Sequence, residues 1–226
     1  MIKEQLFQIA KAPAMGKMVG IAFQYFSWAI PVKKLGNHKD VIAFRHPKPC
    51  YENHVILSPR RAIRDLLTLA QEPCTRYFVA LWNAVTGIQE TQSAYRNAYT
   101  LVANGGKRQE VQQVHFHLFT NHRMVKETPS QATNGPVIDQ DDQICILKHP
   151  QPDWEIHYVI RPAESFMKTG ACKDKPAYLA GVLRCIDVLD AKASIVEKGY
   201  SLVYQYRRQN KEVYPVFHVV AGKKLG

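Results

Sequence analysis

Gln113, His115 and His117 alternate along the run Gln-Val-His-Phe-His-Leu-Phe, with Val114, Phe116 and Leu118 between and after them. In an extended strand alternate residues share a face. The spacing therefore predicts two imidazoles and an amide on one side, with an apolar anchor on the other. Just upstream, Asn104-Gly105-Gly106-Lys107-Arg108-Gln109 combines small residues, backbone donors and two cations, which suits a loop that cradles an anion. A neutral imidazole is both a competent nucleophile near neutral pH and the commonest metal ligand. Two chemistries are thus open: attack on phosphorus by a histidine, or a metal site built from His54, His115 and His117.

The elements that must position these side chains can be read from the local pattern. Val41 to Phe44 and His54 to Leu57 are short β-rich runs joined by a proline-containing turn. A helix is expected to open at Pro73 and to carry Phe78, Leu81, Trp82, Val85 and Ile88 on one face. Strands at Tyr99 to Ala103 and Val114 to Phe119 follow. This order predicts an antiparallel sheet with helices packed on it, an α+β fold.

The same order recurs. FRHPKPCYENHVILSP, starting at Phe44, lines up without a gap on LKHPQPDWEIHYVIRP, starting at Leu147. AYTLVANGG, from Ala98, lines up on GYSLVYQYR, from Gly199, and EVQQVHFHLFTN on EVYPVFHVVAGK. Two ordered blocks at nearly one offset indicate duplication. In the second copy Pro176 opens the helix, with Leu179, Leu183, Ile186 and Leu189 on one face, and strands at Tyr200 to Tyr204 and Val216 to Val220 close it. The boundaries expected are an N-terminal helical extension over 1–40, a first unit over 41–127, a Pro/Gly/Asp/Gln-rich linker over 128–142 and a second unit over 143–226. The nucleophile position is lost in the second copy: Phe217 or Val216 takes the place of His115, depending on the alignment. His149 and His157 persist and read as structural.

The chain has 226 residues, 46% hydrophobic and 22% charged, with a formal net charge of +11. These proportions suit a folded domain and argue against disorder, and the positive charge favours anionic partners. Five scattered cysteines form no C-x-x-C pair, which points to reduced thiols and a cytoplasmic setting. The start, MIKEQLFQIAKAP, is amphipathic rather than signal-like, and the apolar stretch from Met18 to Val32 is too short to span a bilayer.

FRHPKPCYENHVILSPRR and ANGGKRQEVQQVHFHLF, in that order, resemble the two signature elements of the histidine-triad (HIT) nucleotide hydrolases and transferases. The resemblance runs from about Val41 to Met124. It implies two HIT-like units folded into an intramolecular pseudo-dimer, the second degenerate, since single-copy relatives usually form symmetric dimers. It implies a nucleotide-like substrate, no cofactor and no metal. His115 takes the nucleophile position, His117 contacts phosphate, and His54 supports the triad. Asn104, Gln109 and Glu110 fall at phosphate-loop positions, Phe44 and His46 at nucleotide-binding ones. Gln113 replaces the first histidine of the triad and can orient an imidazole without being protonated. His46 replaces a ribose-binding carboxylate, and an imidazole does not accept two hydroxyl hydrogens as a carboxylate does. Glu110 brings a negative charge to a position where many members carry serine.

A non-catalytic nucleotide or nucleic-acid binding module is the alternative reading of these departures. Arg60, Arg61 and Arg64 after the His54 strand, and Arg207, Arg208 and Lys211 among Tyr204, Tyr206 and Tyr214, are cations that could meet a polyanion. Ordinary solvent-facing charge explains the first group better and the second equally well. Trp82 and Trp154 read as core anchors.

Overall fold

The computed structural model describes residues 34–36, 38–126, 134–168, 175–208 and 215–225. The expected N-terminal extension lies almost wholly outside them, as do Cys172, Lys211 and Tyr214. Among the described residues nine strands form one antiparallel sheet. They are β1 (Val41–Arg45), β2 (Glu52–Pro59), β3 (Ala98–Gly105), β4 (Phe116–Thr120), β5 (Val137–Gln140), β6 (Ile144–Lys148), β7 (Trp154–Pro162), β8 (Tyr200–Arg207) and β9 (Phe217–Lys224). Their order across the sheet is β1-β2-β4-β3-β8-β9-β7-β6-β5. Apart from the edge strand β5, each half reads as the mirror of the other about the β3–β8 seam.

The register repeats that mirror. One row across the sheet runs Ile56, His117, Val102, Val203, His218, Val159. Its neighbour pairs Asn104 with Ser201, and the mirror row pairs Thr100 with Gln205. His218 is thus the counterpart of His117, and Val216, not Phe217, that of His115.

The main core lies on one face, under the helices, and three smaller apolar clusters lie apart from it. Helices α1 (Leu66–Ala70) and α2 (Thr75–Thr91) serve the first half, and α3 (Glu164–Lys168), α4 (Lys175–Ala193) and α5 (Ile195–Lys198) the second. Phe78, Leu81, Trp82, Val85 and Ile88 of α2 and Leu179, Leu183, Ile186 and Leu189 of α4 are buried in a single core with Val55, Leu57, Leu101, Phe116, Leu118, Leu202, Phe217 and Val219. Strand alternation turns His54, His117, Asn104, Ser201 and His218 to the other face. Continuous burial across the seam makes one core of the two halves.

Three expectations about elements need correction. Helix α2 begins at Thr75, after a turn in which the Cys74 amide donates to Gln71 O, so Pro73 stands before the helix rather than within its first turn. The segment expected as a linker contains β5, because Val137 and Asp139 pair with Leu147 and Ile146 of β6. Tyr204 belongs to the core, its ring 5.1 Å from that of Trp82, and Tyr206 stacks on Tyr99 at 5.0 Å. Tyr204 is therefore not a platform for single-stranded nucleic acid, and the half-buried Tyr206 is already stacked within the sheet. Among the described residues no helix is long and apolar enough to cross a membrane.

Candidate active site

A cavity of about 450 Å³ opens on the sheet face opposite the helices, and His115, His117, His54, His46, Asn104, Arg108 and Glu110 line it. Ile56, Val102, Tyr51, Phe119 and Met124 supply its apolar wall. Strand β4 starts only at Phe116, so His115 sits at the mouth of the strand rather than within it. The His115 Nδ1 lies 2.8 Å from the Gln113 carbonyl oxygen. A carbonyl only accepts, so Nδ1 carries the proton and Nε2 keeps its lone pair. Burial lowers the His115 pKa, with the Gln113 carbonyl and the Glu110 charge opposing that shift. A nucleophile needs this state: neutral, with one nitrogen fixed and the other open.

The tautomer of His117 is set by a chain of hydrogen bonds. The Cys50 amide donates to His54 Nδ1 at 3.4 Å, which leaves the proton of His54 on Nε2. That Nε2 lies 2.9 Å from His117 Nδ1, which accepts, so His117 carries its own proton on Nε2. Burial holds His54 down to about 4 and His117 down to about 2, with the neighbouring rings adding to both. Both rings therefore stay neutral, and His117 acts as a donor rather than a cation. His46 stacks on His54 with centroids 4.2 Å apart, and the Lys48 amide donates to its Nδ1 at 3.0 Å.

The ligand atoms of His46, His54 and His117 fall within 4.8 Å of one another, near enough to consider a metal. The hydrogen bonds speak against it. Backbone N–H groups occupy Nδ1 of His46 and His54, so their Nε2 atoms carry protons, while a metal needs a bare lone pair. The alternative trio of His54, His115 and His117 has the same difficulty at His54.

The remaining sequence-derived residues divide. Asn104 and Glu110 lie in the cavity wall with His46, His54, His115 and His117. The Gln113 side chain does not: it is buried, and its amide bonds to Ser58 Oγ (3.2 Å), Pro59 O (3.3 Å), Arg61 O (3.0 Å) and the Ile63 amide (3.2 Å). The backbone bends through 111–113 before the strand starts, which swings this side chain away. Gln113 thus orients His115 through its carbonyl, not its amide. Gln109 braces the loop by donating to Arg64 O and Val111 O. Phe44 packs with Ile42 and Ile56. Arg61 and Arg64 are exposed, and Arg64 pairs with Asp65.

Sequence reasoning placed Arg108 in an anion-cradling loop but missed its partners and the second half's part in holding that loop. The Arg108 guanidinium donates to Ser201 Oγ at 3.1 Å and to the carbonyls of Val220 and Gly222, and lies 4.5 Å over the Trp154 ring. Trp154 is accordingly a half-buried seam residue, its Nε1–H bonded to Met124 O at 3.3 Å, rather than a core anchor. Gly106 has φ +57, and a Cβ there would meet Val196 O at 2.1 Å. The two-glycine signal was visible in the sequence; the partner that demands it is remote.

The second half repeats the ladder almost atom for atom. His157 Nε2 lies 3.0 Å from His218 Nδ1, and His149 stacks on His157 at 4.0 Å. The Gln151 and Asp153 amides donate to His149 and His157 Nδ1 at 3.0 and 3.4 Å. What differs is the surround: Val216 replaces His115, and Gln205, the counterpart of Asn104, spends its amide on Met124 and Val125 of the first half.

The HIT domain family model matches residues 28–124. The sequence match is to the HIT domain, over the half that holds the cavity. An uncharacterized 13.2 kDa HIT-like protein from Azospirillum brasilense is 26% identical over 97 residues, covering 42% of this chain and 80% of its own. Over nearly the whole length the fold is similar to that of two solved structures. One is a DUF4931 family protein from Bacillus cereus, at 11% identity and TM-score 0.54, covering 86% of this chain and 87% of that one. The other is a GalT-like protein from Arabidopsis thaliana, at 10% identity and TM-score 0.55, covering 92% and 83%. The HIT match ends near Met124, whereas the fold likeness continues through the second half.

Proposed function

We propose that the chain is a HIT-type nucleotide hydrolase or nucleotidyltransferase acting through His115. The observation that carries this reading is the 2.8 Å contact between His115 Nδ1 and the Gln113 carbonyl, which leaves Nε2 as the open nitrogen in a cavity with Asn104, Arg108 and His117. The Nε2 lone pair attacks an α-phosphorus, the N–P bond forms, and the bond to the leaving group breaks with its electron pair going to that group. The Asn104 amide, Arg108 and the His117 Nε2–H supply donors for the charge that develops on the phosphoryl oxygens. Water or another acceptor then displaces His115, breaking the N–P bond and yielding the nucleotide product.

The division of the chain follows from the same reading. Residues 41–127 form the catalytic unit, 128–142 join the halves, and 143–226 form a degenerate unit that completes an intramolecular pseudo-dimer. The mirrored strand order and the two histidine ladders support duplication, and Val216 supports loss of chemistry in the second copy.

The test is a panel of dinucleoside polyphosphates, nucleoside phosphoramidates and nucleotide sugars, run on the wild type and His115→Ala. Mass spectrometry of acid-free quenched protein reads for nucleotidyl-His115. Turnover with a trapped adduct at His115 is the expected result. Nucleotide binding without turnover or adduct favours a binding module instead, and turnover undiminished in His115→Ala rejects the mechanism.

A further inference from the structure

Ser201 lies on β8, in the half without a nucleophile, yet it is in register with Asn104 of the cavity wall. Its hydroxyl donates to Asn104 Oδ1 at 2.8 Å and accepts from Arg108 Nη1 at 3.1 Å. Ser201 is 1% exposed, so no water competes for either bond. An asparagine amide has two ends of nearly equal shape and opposite character. With Oδ1 held by a hydroxyl proton, the NH2 end is the one left for the cavity. A flipped amide would take that acceptor away from the buried hydroxyl.

The mirror position shows that this arrangement is not imposed by the fold. Thr100 is the register counterpart of Ser201, and Gln205 that of Asn104. The Thr100 hydroxyl turns instead to His122 O at 2.7 Å, and Gln205 binds the backbone of Met124 and Val125. The same pair of sites is therefore used in one half to tether a segment and in the other to fix a cavity residue.

We propose that Ser201 is a positioning residue for the His115 site, supplied by the second half, which orients the Asn104 amide and holds Arg108 so that both present donors to a bound phosphoryl group. The proposal rests on the nucleotidyl-transfer reading above. Ser201 does not touch substrate; its effect passes through Asn104 and Arg108.

The experiment measures kcat and KM for wild type, Ser201→Ala, Ser201→Thr, Asn104→Ala and the Ser201→Ala/Asn104→Ala double variant, on the panel substrate that the wild type turns over. Each variant is checked by thermal unfolding. Loss of one oriented donor predicts a fall in kcat of about tenfold for Ser201→Ala, with KM changed less. Ser201→Thr, which keeps the hydroxyl, should recover to within about twofold, and the double variant should be no slower than Asn104→Ala alone. Should Ser201→Ala fail to fold, Ser201→Cys keeps the volume with a weak donor and must show the same kcat loss. Wild-type kcat in folded Ser201→Ala or Ser201→Cys, or losses that multiply in the double variant, would overturn the proposal while leaving His115 chemistry intact. An inactive wild type removes the parent reading and this one with it.

Discussion

The His54 Nε2 lies 2.9 Å from His117 Nδ1, and this contact decides which nitrogen of His117 bears a proton. Because His54 Nδ1 already accepts from the Cys50 amide, the proton order runs one way along the chain of rings. His54→Ala therefore leaves His117 free to adopt the other tautomer and to turn its donor away. Losses on removing such orienting partners reach about 10- to 100-fold, and kcat is expected to fall within that range. A fall confined to KM would show that His54 serves binding only.

Glu110 should set the acid limb of the rate profile. On the proposed mechanism His115 attacks only when neutral, and Glu110 raises its pKa against the larger lowering by burial. Glu110→Gln takes away that support, so the His115 pKa falls further and the acid limb of kcat/KM moves to lower pH. A pH series on both proteins reads this directly, and a shift to higher pH would contradict the assignment.

Gln113 is expected to matter first for stability. Its buried amide bonds to four groups of the 58–63 segment, and stranding those groups costs about 2 kcal/mol or more. Chemical denaturation of Gln113→Ala should show that loss. The carbonyl that holds His115 is retained, so activity per folded molecule should fall much less than in His115→Ala.

Much of this was legible in the sequence, and the limits have physical causes. The two similar sequence blocks located strands in both halves and both long helices, though not β5, because each element carries its own apolar period, as the burial of Phe78, Leu81 and Val85 illustrates. The alternation around His115 put His115 and His117 on one face, and both line the cavity. It failed for Gln113, because alternation holds only within a strand and β4 begins at Phe116. The anchoring of Arg108, and any part for Ser201, were invisible for another reason: their partners lie across the seam, and only the register of β3 on β8 brings them together. The nine-stranded continuity likewise depends on that pairing and not on any local signal.

The second ladder should make the fold acid-labile. Burial, with the neighbouring rings adding to it, holds His157 down to about 2 and His218 down to about 3, while an imidazole in the unfolded chain protonates near pH 6.5. Below about pH 6.5 the unfolded chain binds protons that the folded one refuses. The stability present above that pH is lost as pH falls, by up to about 1.4 kcal/mol per pH unit for each ring. Urea unfolding of His157→Asn between pH 7.5 and 4.5 should give a shallower slope than the wild type, whatever its stability at neutral pH.

Restoring the missing imidazole should not restore a site. Val216→His would place a ring opposite Gln205, but Gln205 is already bonded to Met124 and Val125, and Val125 is buried there. Labelling by a substrate that modifies His115 should remain at one adduct per chain. Two adducts per chain would show that the second face is open.

The seam of β3 on β8 has a consequence for how such a chain can change over time. In an assembly of two identical subunits every substitution appears twice, once on each side of the axis, and a residue cannot be improved for one task without being altered for the other. Here Asn104 and Gln205 meet Ser201 and Thr100 as separately encoded neighbours. Each of the four can drift alone, so one side is free to specialise while its mirror becomes scaffolding.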